Sequence, residues 1–182
     1  MRWDNLFADL EGQLAAAGRL DLEAQVAELV RAEQAAVPLA DRLRGHGTAA
    51  LDVELRGRLR FRGTPRQIAD EWFVLECGQH GVLVPASAVV TVSGLGRRVH
   101  AERSTVRRTL SMASGLRALA RDRTVVTVFL DGGGGEPTAL AGTIDTVGAD
   151  YLELTPVRSA GGHRAGMTAV RLGAILAVRS GG

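Results

Sequence analysis

The side chains able to do chemistry are few, and arginine dominates them. All 22 basic residues are arginine and none is lysine. Arg56, Arg58, Arg60 and Arg62 alternate along one predicted strand, so they would project from one face at about 6.6–6.8 Å per step. Arg103, Arg107, Arg117 and Arg121 recur at helical spacing and fall within a sector of about 80° at 3.6 residues per turn. A guanidinium ladder beside a basic helix can follow phosphates without reading bases. These eight are the candidate nucleic-acid-binding residues, with an RNA or DNA backbone as the expected partner. The alternative is a solvated strand face and a helix whose arginines only balance acids of the same chain.

Other reactive types lack partners. None of His46, His80, His100 and His163 stands four residues from another histidine or flanks the cysteine, so metal-ligand spacing is missing. Cys77 ends a predicted strand beside Phe73 and Leu75, with no local histidine or acid to activate it, and reads as a structural thiol. The run Asp131-Gly132-Gly133-Gly134-Gly135 lacks the lysine of a phosphate-binding loop and reads as a hairpin connection. No GxSxG occurs, and Asp145, Asp150 and Glu153 read as acids on the wet face of a sheet. No catalytic residue, metal site or cofactor is expected. Trp72, Phe73 and Tyr151 fall at predicted core positions, which leaves few rings for stacking bases.

Charge distribution says more than the net charge of +2. Residues 1–50 hold eight acids and five arginines, whereas residues 95–123 hold eight arginines against Glu102 and Asp122. Apolar residues at 46% and charged residues at 23% are ordinary for a globular protein. No apolar run reaches the roughly 18 residues that span a bilayer. The opening MRWDNLFADLEGQ places acids where a secretory signal would be apolar. The single cysteine excludes an intramolecular disulfide and fits a reducing compartment, so a cytoplasmic location without membrane contact is expected.

Trp3, Leu6, Phe7, Leu10 and Leu14 share one helical face. Gly18 would end that helix, and Asp21 would cap a second one carrying Leu22, Val26, Leu29 and Val30 as far as Pro38. These helices predict a hairpin or dimerising arm over residues 1–47. From Leu51 the apolar period is two, with Gly57 marking a bend. Short strands follow near residues 71–77, 81–85 and 89–93, giving a first unit over 51–94. Residues 95–123 read as a basic helical linker with Ser104 as a cap. A second unit over 124–182 carries strands near 124–130, 139–147, 151–155, 168–171 and 175–179.

The two units repeat one pattern. GTPRQIADEWFVLE at Gly63 aligns with GTIDTVGADYLELT at Gly142, and VPASAVVTV at Val84 aligns with VRLGAILAV at Val170. The offsets, 79 and then 86 residues, place a seven-residue longer loop in the second copy. Five short bent strands with a compact turn before the last read as a small barrel.

At these residues the chain resembles Sm-like or SH3-like small β-barrels. Gly142, Ile144, Tyr151 and Leu154 occupy structural positions of the first Sm motif. Gly148 and Leu152 stand where that motif has its Asp and Asn, and Ala69 and Phe73 stand there in the first copy. Val170-Arg171-Leu172-Gly173 approximates the second motif, and Val84-Pro85-Ala86 lacks it. The resemblance therefore implies the barrel fold without the uridine-binding residues. The whole chain also resembles a group of small proteins from high-GC Gram-positive bacteria, some labelled transcriptional regulators, which implies a regulatory role.

The expected fold is α+β and mainly β: an N-terminal helical hairpin, then two tandem five-stranded Sm/SH3-like barrels joined by a basic helix. The expected function is that of a non-enzymatic regulatory protein touching nucleic acid through arginine-phosphate contacts. The alternative is a protein-interaction or scaffolding module that assembles through its N-terminal helices. Either reading admits a homo-oligomer formed through those helices or through barrel edges.

Overall fold

The computed structural model describes residues 22, 24–133, 135–157 and 166–181. The protein is α+β and mainly β, with ten strands in one antiparallel sheet and, among the described residues, four helices. Helix α1 (residues 24–35) belongs to a unit separate from Leu39–Gly182. It stops at Ala35, three residues before Pro38, which is consistent with the bias of a residue preceding proline away from helical geometry. The helix predicted over Trp3–Leu14, with Gly18 and Asp21, lies outside the described residues.

Helix α2 (Leu39–Gly45) opens the compact unit and buries Ala40 and Leu43. The helical region predicted to run to residue 47 thus divides at Pro38. Strands β1 (Leu51–Leu55), β2 (Arg60–Ile68), β3 (Trp72–Cys77), β4 (His80–Pro85) and β5 (Val89–Ser93) follow. Next come α3 (Thr105–Arg108) and α4 (Met112–Arg121). Strands β6 (Val125–Leu130), β7 (Thr138–Val147), β8 (Tyr151–Pro156), β9 (Thr168–Arg171) and β10 (Ile175–Ser180) complete the chain.

The predicted repeat reappears in the pairing. Each half is a meander whose last strand returns to pair with its first, β5 with β1 and β10 with β6. Val53 lies opposite Phe61 and Val92, and Val128 lies opposite Leu140 and Val178. Both halves slip at the same place: Val90 is skipped between Glu54↔Thr91 and Leu55↔Val89, and Leu176 between Phe129↔Ala177 and Leu130↔Ile175. A bulge of this kind bends the strand and sharpens its twist. A 3₁₀ turn precedes the last strand of each half, at Ala86–Ala88 and Leu172–Ala174.

One further pairing makes the two halves a single sheet. β10 lies antiparallel to β4, with Val178 opposite Leu83 and Arg179 opposite Val82. The Ser180 hydroxyl donates to the Gly81 carbonyl at 3.1 Å and accepts from the Gly81 N–H at 3.3 Å. Strand alternation then feeds two cores from one seam. Val82, Val84 and Ala177 join Leu51, Val53, Leu55, Phe73 and Leu75. Leu83, Val178 and Ile175 join Val126, Val128, Ile144, Leu152 and Leu154, together with Trp72 and Leu116 of α4.

The repeated glycines sit where strands cross closely. A Cβ on Gly63 would lie 2.6 Å from the Glu76 carbonyl oxygen, and one on Gly142 would lie 2.4 Å from that of Thr155. Neither oxygen can retreat without breaking its hairpin. Gly63→Ala and Gly142→Ala should each destabilise the fold by roughly 1–3 kcal/mol, the usual cost of overpacking. Urea-unfolding midpoints measure this; equal midpoints for wild type and variants would remove the close-crossing account.

Candidate interaction surfaces

The first four predicted site residues do not share a strand face. Gly57, with a φ of 71°, and Arg58, with a φ of 62°, turn the chain through a 3₁₀ segment at Arg56–Arg58. β1 and β2 are therefore two arms of a hairpin, and the Leu55 N–H closes the turn by donating to the Leu59 carbonyl at 2.8 Å. A positive φ at glycine costs no Cβ clash, which is why the reversal falls there. Arg56 and Arg58 sit on the turn; Arg60 and Arg62 sit on β2.

Folding the hairpin brings acids to these arginines. Glu54 is directly opposite Arg60 and Asp52 is directly opposite Arg62. The resulting ion pairs measure 3.2 and 3.3 Å, and Arg56 reaches Asp131 at 3.3 Å. Arg66 pairs across the next hairpin with Glu76, diagonal to it in the register, at 3.1 Å. Arg58 has no acidic partner among the described residues and lines an open recess with Leu59, Phe129 and Pro137.

The basic linker is not one helix. Ser104 caps α3 as predicted, accepting from the Arg107 N–H, but α3 ends after one turn. Ser111 caps α4 by accepting from the Ser114 N–H. Between them the Trp72 indole N–H donates to the carbonyls of Leu110 and Ser111, each at 3.0 Å. The Leu110 carbonyl is thereby taken up outside either helix, while that of Ser111 also accepts the first bonds of α4, from the Ser114 and Gly115 N–H groups. Arg103 and Arg107 therefore do not share a helix face with Arg117 and Arg121. Arg107 is 4.0 Å from Glu102, and Arg117 donates to the Gly148 carbonyl at 3.4 Å. Arg103 and Arg121 have no acidic partner among the described residues.

Sequence pattern gave no sign of the network around Arg44, whose guanidinium is almost fully buried. It pairs with Asp41 one helical turn back, donates to the Ile68 carbonyl at 3.1 Å and pairs with Asp70 at 3.0 Å. Arg108 reaches the other Asp70 oxygen at 3.3 Å. Partial burial would raise the Asp70 carboxyl, but hydrogen bonds from Arg44 and Arg108 outweigh it and hold the group below the ordinary aspartate range. α2, the end of β2 and α3 are thereby tied through one carboxylate. The linker's first residues lie along α2 as well: Arg42 donates to the Gly96 carbonyl at 2.8 Å, and the His100 N–H donates to that of Asp41 at 2.9 Å.

Burial pushes the Cys77 thiol up, away from the thiolate needed for nucleophilic attack. No group of three potential metal ligands occurs among the described residues, and His163 lies outside them. Trp72 and Phe73 are buried as predicted. Tyr151, the repeat counterpart of Trp72, is not: it is 37% exposed, since among the described residues no helix covers it as α4 covers Trp72, and its ring lies on Gly148.

Exposed apolar side chains include Leu22, Val26, Leu29 and Val30 in the α1 region, and Val99, Val106 and Leu110 in the linker. Others are Val125 and Val157 at strand ends, and, on the rim of the sheet, Val90 of β5 and Met167 just before β9. No protein-family model, curated protein or solved structure matches the chain.

Asp70 yields a pH dependence. Its folded pKa lies below the unfolded value of about 3.9, so its stabilising effect is present above that value and is lost as pH falls through the folded one. Asp70→Asn should lower stability at pH 7 by no more than about 1 kcal/mol, the ceiling for a solvent-screened pair. It should also flatten the fall in urea midpoint between roughly pH 5 and pH 2. A variant whose midpoint follows the wild-type profile at every pH would show that the carboxylate holds nothing together.

Proposed function

We propose that this chain is a non-enzymatic interaction protein, cytoplasmic in location, that assembles through its helical segment and uses the sheet as a rigid platform. The observation that carries this reading is the exposed apolar stripe of Leu22, Val26, Leu29 and Val30. Spacings of four, three and one residues put these side chains on one face, as in a helix that pairs with another. A helix of about twelve residues is marginal alone in water, so a second copy of the stripe is the partner that would stabilise it. The identical pairing of β1–β5 and β6–β10 supports reading the platform as two tandem small barrels of the Sm-like or SH3-like kind. Such barrels serve many unrelated functions, so the fold adds no activity of its own.

Ion pairing supports the interaction reading over the phosphate track. Arg56, Arg60, Arg62 and Arg107 each have an acidic partner in the same chain. Light scattering on the full chain tests the stripe. Val26→Glu with Leu29→Glu should reduce the number of associated chains at least twofold while leaving circular dichroism of the sheet unchanged. A wild-type stripe that makes no difference to mass sinks the proposal.

A second reading keeps one observation in its favour. Among the described residues, only Arg107 and Arg108 of the linker's eight arginines form ion pairs with acids. A few free guanidiniums there would bind RNA or DNA weakly through phosphates. Retention of mixed-sequence RNA or DNA should then fall roughly tenfold or more between about 50 and 200 mM salt, as release of counterions from three phosphates requires. No retention, or retention indifferent to salt, removes this reading.

A further inference from the structure

The junction between the halves joins two different edges. Within the chain, the last strand of the second half (β10) pairs with the fourth strand of the first half (β4). The two counterparts of those strands are left over, at opposite ends of the sheet. β5 corresponds to β10 and β9 corresponds to β4, and these are the two terminal strands of the ten-strand order. Among the described residues, neither makes a backbone hydrogen bond on its outer side.

Burial marks the same correspondence. At the bulge of β10, Leu176 is 0% exposed; its counterpart at the bulge of β5, Val90, is 58% exposed. Leu176 lies against Gly57 of the first half, so the junction itself covers it. Leu83 and Ala177 are buried at the junction, whereas their counterparts Ala169 and Thr91 are exposed. Natural edge strands are commonly protected by lysine, proline or inward-pointing charge. β5, with the sequence VVTVS, carries none of these.

We propose that β5 of one copy pairs antiparallel with β9 of a second copy, repeating between chains the junction that β10 and β4 make within one. The register follows from the repeat. Val178↔Leu83 becomes Val92 opposite Ala169 of the next copy, and Arg179↔Val82 becomes Ser93 opposite Thr168. The contact is heterologous, so each added copy leaves one β5 and one β9 open, and assembly continues until the rotation closes a ring. It rests on the sheet alone and does not require the α1 stripe.

Paired cysteines test this in the full chain, with Cys77→Ser as background. Val92→Cys is mixed with Ala169→Cys, and Ser93→Cys with Thr168→Cys, under mild oxidation. Of two neighbouring antiparallel pairs, one is the close, non-hydrogen-bonded kind with Cα atoms about 4.5 Å apart, within disulfide range. The expected result is a two-chain species from at least one complementary mixture, and little from any variant alone. Val90→Lys, on a residue exposed in the free chain, should reduce that species to the single-variant level without altering the fold seen by circular dichroism. The cross-link should persist with Val26→Glu and Leu29→Glu, which separates it from assembly through α1. Absence of cross-linking in both mixtures, or single variants that link as well as the mixtures, overturns the proposal.

Discussion

The structure depends on the seam between β4 and β10. Without it, each half is a five-strand meander of modest size, and small units bury a smaller fraction of their surface on folding. With it, Val82 and Val84 face one core while Leu83 faces the other, and Ala177 and Val178 divide the same way. A strand buried on both faces loses the polar alternation of an exposed one. β10 is accordingly buried from Ile175 to Val178, whereas β5, with the same place in its own half, is not. The two cores are therefore not independent: a substitution at Leu83 or Val178 disturbs strands of both halves.

Trp72 extends that coupling to the linker. Its ring fills the second core although it belongs to the first half, and its indole N–H holds the carbonyls at which α3 gives way to α4. Gly115 lets α4 approach that ring, since a Cβ there would lie 3.2 Å from it. Asp70, two residues before Trp72, holds Arg44 and Arg108 together. One short stretch of chain thus fixes both the position of α4 and the course of the residues leading to it. The positive charge of the linker is arranged by these contacts and not by helical periodicity.

Much of this was legible before the structure was known. The spacing of Gly63 and Gly142, and of the apolar residues after them, located eight of the ten strands within a residue or two, because core residues must alternate wherever one face is buried. Helix α1 and the cap at Ser104 follow from local chemistry and were equally readable. What pattern could not supply was direction. Gly57 was visible as a bend, but reading it as a full reversal turns an arginine ladder into a set of ion pairs. The mirror arrangement of Asp52 and Glu54 against Arg60 and Arg62 about Gly57 was the signal, since cross-strand partners of opposite charge stabilise a hairpin. The break at Leu110 and Ser111 had no local signal, because it is imposed by an indole 38 residues earlier in the chain.

Divergence between the halves bears on what the protein does. Where the seam needs bulk, the first half supplies Leu83 and the second Leu176; at the matching free edges stand Ala169 of the second half and Val90 of the first. The residues at the free edges are smaller, yet they remain uncharged except for Arg171, and the exposed Met167 stands where Gly81 meets Ser180 at the seam. An edge kept for solvent alone would gain from charge, which opposes strand pairing at no cost to the core. Meanwhile the charges the chain does carry on β1 and β2 are matched in sign across the hairpin, leaving little net field there for a polyanion to feel. Apolar residues left open beside charges that are mutually satisfied are the features on which the proposed interaction role rests.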